Sequence, residues 1–296
     1  MTSGLLPSDA RLGSPVLAEA RRDAEAASAR AGVEARDLVA LDDILRACTL
    51  LDEVWDAPRN TILPTNLARA MSHAGACFAA AFAGGEMVGV VVGFVGFREG
   101  SHLHSHLLGV RPGGEHQGVG FALKQHQRLW ALERDLTTAC WTFDPLVRRN
   151  AYFNLGKLGA VLSAYHVDFY GAMQDGLNVG DETDRALVRW ELTSPRATSA
   201  VVEGPPDVDV DRLITTGAVV ILDEDLDFGP VVTYQGGDTL LCRIPTDVVA
   251  MRQRDPALAL LWRKALRVTL GRALTNGYVA TGISRSGWYV LERERT

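Results

Sequence analysis

Leu108-Gly109-Val110-Arg111-Pro112-Gly113-Gly114-Glu115-His116-Gln117-Gly118-Val119-Gly120-Phe121-Ala122-Leu123 decides how this chain is read. Its apolar start suits a strand, its Pro-Gly-Gly centre a turn, and the residues from Phe121 to about Arg134 a helix. Gln117-x-x-Gly120-x-Ala122 puts glycine where the backbone must curl closely round a ligand. Glycine accepts positive φ and has no side chain to block the approach. A helix starting here aims its unpaired N–H groups and positive dipole end at the turn. The local chemistry is anion binding, a pyrophosphate foremost; an ordinary strand-to-helix turn is the plain alternative. No Gly-Lys-Ser/Thr follows, which argues against a P-loop. The spacing is not Gly-x-Gly-x-x-Gly, and no acidic residue ends a strand about 20 residues on, which argues against a dinucleotide site.

Outward from the turn, strands and helices alternate. Upstream, Val33 to Leu38 is a strand, Asp42 to Trp55 a helix and Asn66 to His73 a shorter one. Cys77 to Phe82 and Glu86 to Phe97 are strands joined by Gly84-Gly85, a tight hairpin signal. Leu103 to Val110 is the strand that enters the turn. Downstream, Leu129, Leu132 and Leu136 line one helix face. Thr137 to Phe143 is a strand, Asn150 to Leu158 a helix stopped by Gly159, and Val161 to Tyr170 and Arg185 to Leu192 are strands. This order is mixed α/β.

The 296 residues allow one large domain or two small ones, and 47% hydrophobic content suits a buried core. A net charge of −6 gives no sign of nucleic-acid binding. Cys48, Cys77, Cys140 and Cys242 are widely spaced, which argues against zinc and a disulfide framework. No metal site is expected. Met87 to Phe97 is too short to span a bilayer and no signal peptide is evident, so a cytoplasmic protein without membrane contact is expected. The expected division is an N-terminal extension with a helix (1–32), a central domain (33–195), a linker (196–212) rich in Ser, Pro, Gly and acidic residues, and a smaller C-terminal α/β domain (213–296). Residues 1–15 are expected to be loose. In the tail, Leu240 to Ile244 is a strand. Asp255-Pro256 starts a helix carrying Trp262, Leu266, Leu270 and Leu274, stopped at Asn276-Gly277. The tail repeats the order strand, loop, helix, strand without the glycine turn. A degenerate half-repeat and an unrelated appendage both fit.

Leu107-Leu108-Gly109-Val110, the turn Gln117-x-x-Gly120-x-Ala122 and the helix after it together resemble the acyl-CoA-binding core of the GNAT N-acyltransferase superfamily. Asn150-Ala151-Tyr152-Phe153 to Gly159 resembles the family's following helix. The strings His104-Ser105-His106, Thr142-Phe143-Asp144-Pro145 and Tyr170 through Asp175-Gly176 are similar to a predicted-acetyltransferase branch with a C-terminal extension. The resemblance implies a splayed mixed sheet flanked by helices. It implies that the strands ending at Val110 and near Phe143 part, and that the pantetheine arm pairs with Leu108, Gly109 and Val110. It implies a pyrophosphate on the N–H groups of Gln117, Gly118, Val119, Gly120, Phe121 and Ala122, and Asn150 near the pantetheine. The co-substrate would be acetyl-CoA or, as for some members of that branch, succinyl-CoA. The acceptor would be a small-molecule amine, with an amino acid one option.

Transfer of an acyl group to an amine calls for a base, because a free amine is mostly protonated at neutral pH. A backbone N–H near Val110 would steady the developing oxyanion. His102, His104 and His106 alternate along a strand and share one face. The offset of His104 and His106 from Val110 resembles serotonin N-acetyltransferases, where such histidines are linked to proton removal. These two are the chosen bases; a polar strand end is the other reading. Glu86, Glu99 and Asp144 are weaker bases. The family's tyrosine four residues before the helix-ending glycine is Leu155 here, so Tyr170 is the substitute acid. Arg148-Arg149 would lie near phosphates or a substrate carboxylate. A non-catalytic acyl-CoA sensor is the competing function, and the tail is a candidate homodimer interface or a cover for the acceptor site.

Overall fold

The computed structural model describes residues 13–113, 116–171, 182–202, 204 and 207–293. Asp175-Gly176, Gly114-Glu115 and nearly all of 1–15 lie outside them. The chain forms two compact units. The first runs to Ala139 and takes in Glu191–Thr193; the second holds Cys140–Trp190 and the chain from Ser194.

The first unit is built as α1 (Ser14–Ala31), β1 (Glu34–Asp37), α2 (Leu41–Val54), α3 (Thr65–His73), β2 (Cys77–Ala83), β3 (Glu86–Gly96), β4 (His102–Val110) and α4 (Val119–Leu132). β1 to β4 form an antiparallel meander. Gly84 and Gly85 both take positive φ, 56° and 87°, so the β2–β3 hairpin turns in two residues. The side chains of β2 and the middle of β3 alternate between two faces. Phe78, Val90 and Val92 face Ile44 and Leu51 of α2, while Ala79, Ala81 and Val91 face Val119 and Leu123 of α4. A Cβ at Gly89 would come within 2.9 Å of Val119, so glycine at 89 lets the start of α4 approach β3.

The α4 helix is buried nearly all round, wider than the leucine stripe expected of it. The cause is α1, whose alanine face, Ala20, Ala24 and Ala27, packs on α4. Arg128 of α4 is buried and satisfied, pairing with Asp23 at 2.7 Å and donating to the Leu192 carbonyl at 2.7 Å.

The second unit continues as β5 (Thr138–Phe143), α5 (Arg148–Ala151) running into a π-helical turn (Tyr152–Lys157), β6 (Val161–His166), β7 (Arg185–Glu191), α6 (Pro195–Val202) and α7 (Val210–Thr215). Then come β8 (Val219–Glu224), β9 (Pro230–Val232), β10 (Thr239–Arg243), α8 (Val248–Arg254), α9 (Pro256–Leu266), a π-helical turn (Arg267–Gly271), α10 (Arg272–Thr275), β11 (Tyr278–Ile283) and β12 (Trp288–Arg293). Its strands lie in the order β5-β7-β6-β11-β12-β10-β8-β9. β8 and β10 run parallel; the β6–β7, β6–β11, β11–β12 and β10–β12 pairs are antiparallel.

The mixed α/β class expected from the sequence is the observed one. Two features concern the organisation of the chain. The stretch taken as a linker contains α6, whose Ala197, Ala200 and Val201 are buried. The compact units also part inside β5 rather than near residue 196. The reason is pairing: Leu162 of β6 lies opposite Ala280 of β11, so the tail extends the sheet of the segment before it. The tail helix starts as read, with Asp255 accepting from Leu258 N–H at 3.0 Å and Pro256 in the first turn.

Candidate functional site

The anion turn is built by one unusual residue. Gly118 caps α4 at φ 86°, ψ −15°, a left-handed conformation. A Cβ there would be strained and would also meet Ala31 of α1 at 3.4 Å. The first intrahelical bond is Ala122 N–H to the Gly118 carbonyl at 2.9 Å. The N–H groups of Val119, Gly120 and Phe121 precede it and have no partner among the described residues. Ala122 is therefore removed as a donor, because its N–H is already spent within the helix. The left-handed position of the turn is Gly118, and Gly120 lies within α4. Arg111 leaves β4 at this end, its N–H bonded to Val88 and its side chain paired with Glu86 and Glu53. Glu86 is thus a salt-bridge partner rather than a free base.

β4 carries a bulge. Gly93 lies opposite Ser105 and Val92 opposite Leu107, leaving His106 without a partner on β3. The alternation inverts across it: Ser105 points to α4, and so, three residues on, does Leu108, which packs in the α4-side cluster. Leu107 joins the α2-side cluster and Gly109 faces Trp55 and Leu51. A bulge re-aims backbone and side chains. The cofactor-binding expectations Leu108, Gly109 and Val110 thus fall on the half of β4 whose facing the bulge sets.

On the bulged half, His104 and His106 lie 6.0 Å apart between ring centroids, with Phe94 of β3 at 4.9 and 6.0 Å from them. His102 turns back instead, its Nδ1 at 3.0 Å from the Gly100 carbonyl. Burial, with His106, His102 and Lys124 nearby, pushes His104 down to about 4; burial also lowers His106. Both imidazoles are neutral at physiological pH and able to accept a proton.

Sequence reasoning missed Lys124. It lies fully buried on α4 and donates to Ser105 at 2.7 Å and Gln127 at 3.3 Å, under the strand that bears the histidines. Burial pushes its ammonium down to about 7. The signal was available: 124, 127, 128 and 131 have the spacing of one inward helix face.

The remaining expected residues belong to the second unit. Tyr170 is 47% exposed in the turn after β6; its hydroxyl lies 3.3 Å from that of Thr142, and Arg185 stands 5.3 Å over its ring. Asn150 is exposed on α5. Leu155, where the family's tyrosine would stand, is buried. Arg148 donates to the Ser286 carbonyl, a structural tether. Asp144 is no base either. Burial alone would raise its carboxyl, but Arg263, bidentate at 2.8 and 2.9 Å, and Arg252 at 2.5 Å hold it well below the usual range. Among the described residues no group of His, Cys, Asp and Glu could hold a metal ion, and no helix is long and apolar enough to cross a membrane.

No curated protein matches the sequence. The chain is similar to an aminoglycoside 6'-acetyltransferase type Ii at 14% identity, over 54% of this chain and 98% of that one, with a TM-score of 0.43. It is similar to a GNAT family acetyltransferase from Elizabethkingia anophelis with acetyl-CoA bound, at 17% identity over 54% and 98% (TM-score 0.41). It is also similar to an N-acyl amino acid synthase from uncultured soil microbes, at 14% identity over 58% and 96% (TM-score 0.43). The family model of the Acetyltransferase (GNAT) family matches residues 38–156, the stretch that holds β2 to β5, the His-bearing bulge and the anion turn. Over residues 38–156 the chain is thus similar to the Acetyltransferase (GNAT) family.

Proposed function

We propose that this chain is a CoA-dependent N-acyltransferase that moves an acetyl, succinyl or other short acyl group to the amine of a small molecule. The observation that carries the reading is the left-handed Gly118 cap at the foot of a bulged, histidine-bearing strand. The residues fit the group: Gly118 takes the left-handed conformation that opens the turn, and three first-turn N–H groups have no partner among the described residues. Acyl-CoA supplies the activated thioester; a C–N bond forms as the C–S bond breaks. Gln117, Gly118, Val119, Gly120 and Phe121 hold the pyrophosphate, and Leu108, Gly109 and Val110 hold the pantetheine amides.

His106, the more exposed of the pair, takes the proton from the acceptor amine, with His104 beside it keeping the patch uncharged. A neutral face does not repel an incoming ammonium. Asn150 as a pantetheine contact and Tyr170 as the acid that protonates the thiolate complete the proposal. Buried Leu155 in the place of the family's tyrosine favours a second reading, an acyl-CoA sensor without turnover. Thiol release from acetyl-CoA and succinyl-CoA against an amine panel separates the two. Release with any donor supports the enzyme. A thermal shift with CoA and no release from either donor supports the sensor, and neither signal refutes both.

A further inference from the structure

The second unit has two adjoining cavities, of 410 and 390 Å³, on the side of β8 and β10 that α10 borders. They share Tyr234, Val268 and Arg272. The larger has an apolar floor, Ile221, Leu240 and Ala273, and a polar rim that includes Gln235, Asn276 and Arg293. No Asp or Glu lines either cavity, although the chain carries a net charge of −6. Arg267 is neutralised by Asp184 and Glu182. Arg272 and Arg293 have no carboxylate partner among the described residues.

Arg293 is also pre-aimed. Its guanidinium stacks on the Tyr278 ring at 4.7 Å, and that ring is fixed by a 2.5 Å hydrogen bond from its hydroxyl to the Gly237 carbonyl. A stacked guanidinium keeps its in-plane N–H donors free for a planar or tetrahedral anion. Exposed Tyr234, on the loop that Gly237 belongs to, offers a flat wall to the same space. Few polar groups placed over an apolar floor, in a volume of this size, is the usual make-up of a small-ligand site.

We propose that this cleft binds a small molecule with an anionic head, carboxylate or phosphate, on a flat apolar body. The head lies against Arg272 and Arg293 and the body on Ile221 and Leu240, beside Tyr234. The site shares no lining residue with the anion turn at Gly118 and does not depend on the acyltransferase reading.

The test is titration calorimetry on the full chain, with CoA saturating so that the anion turn cannot compete. The probes are phenyl phosphate, benzoate, inorganic phosphate and benzylamine. Phenyl phosphate or benzoate is expected to bind more tightly than inorganic phosphate, and benzylamine not at all. Arg272→Gln and Arg293→Gln, both at exposed positions, are each expected to weaken binding about tenfold with an unchanged melting temperature. The better of the two aryl probes shows which head is preferred. Binding that survives the double substitution, binding of inorganic phosphate as tight as that of the aryl anions, or no aryl binding at millimolar concentration would overturn the proposal.

Discussion

In the proposed enzyme, Gly118 and the pair His104 and His106 would carry the chemistry by different physics. Gly118 works through its backbone: φ 86° costs a non-glycine residue about 1–2 kcal/mol and tilts the N–H groups that follow. Gly118→Val is expected to raise KM for acyl-CoA at least about tenfold with a smaller change in kcat; steady-state kinetics at varied acyl-CoA checks this. An unchanged KM would take the turn out of the binding site. The histidines work through proton affinity. Replacing both, His104→Ala with His106→Ala, is expected to lower kcat by about 10²-fold near pH 7, the loss shrinking toward pH 10 as the amine deprotonates itself. A loss that is constant with pH would mark the pair as structural. Lys124 shows the limit of residue-level reading. A lysine among Ala122, Leu123 and Gln125 reads as surface by its neighbours in sequence, and only its helical spacing with Gln127 and Ala131 turns it toward Ser105 of β4.

Elements were legible where local signals were strong. Gly84-Gly85 and Asp255-Pro256 each announced their structure, because turn and cap preferences act over a few residues. The β4 bulge was not legible, since nothing in His104-Ser105-His106-Leu107 marks an extra residue; the register is set by β3 across the ladder. Nor was α6, whose Pro, Thr and Ser residues resemble loop composition and whose helix is held by burial of Ala197 and Val201. The β5–α5 connection is held by tail elements: Asp144 by Arg252 of α8 and Arg263 of α9, Pro145 by the Tyr289 hydroxyl of β12 at 2.8 Å. Breaking such a buried cluster removes the carboxylate that the two arginines share. Asp144→Ala is expected to destabilise by about 3–5 kcal/mol, read by urea unfolding. A loss below about 1 kcal/mol would mean water reaches the cluster.

At the scale of the whole chain, acidity should act in two stages. His104 and His106 hold folded-state proton affinities below the ordinary histidine value, so the unfolded chain takes up protons first as pH falls through 6.5. Stability from this source is present above 6.5 and is lost progressively down to about 4. Asp144, held below the usual carboxylate range, adds a second loss only below 3.8. The urea midpoint is expected to fall between pH 7 and 4.5, and to fall less in His104→Gln; equal falls would assign the effect to other groups. The pairing of β6 with β11 has a consequence in time. Leu162 waits for Ala280, so during synthesis the second unit's sheet stays open at β6 until β11 leaves the ribosome. Loop closure over so long a separation is slow, and the nascent chain would spend that interval with a bare strand edge for chaperones to shield.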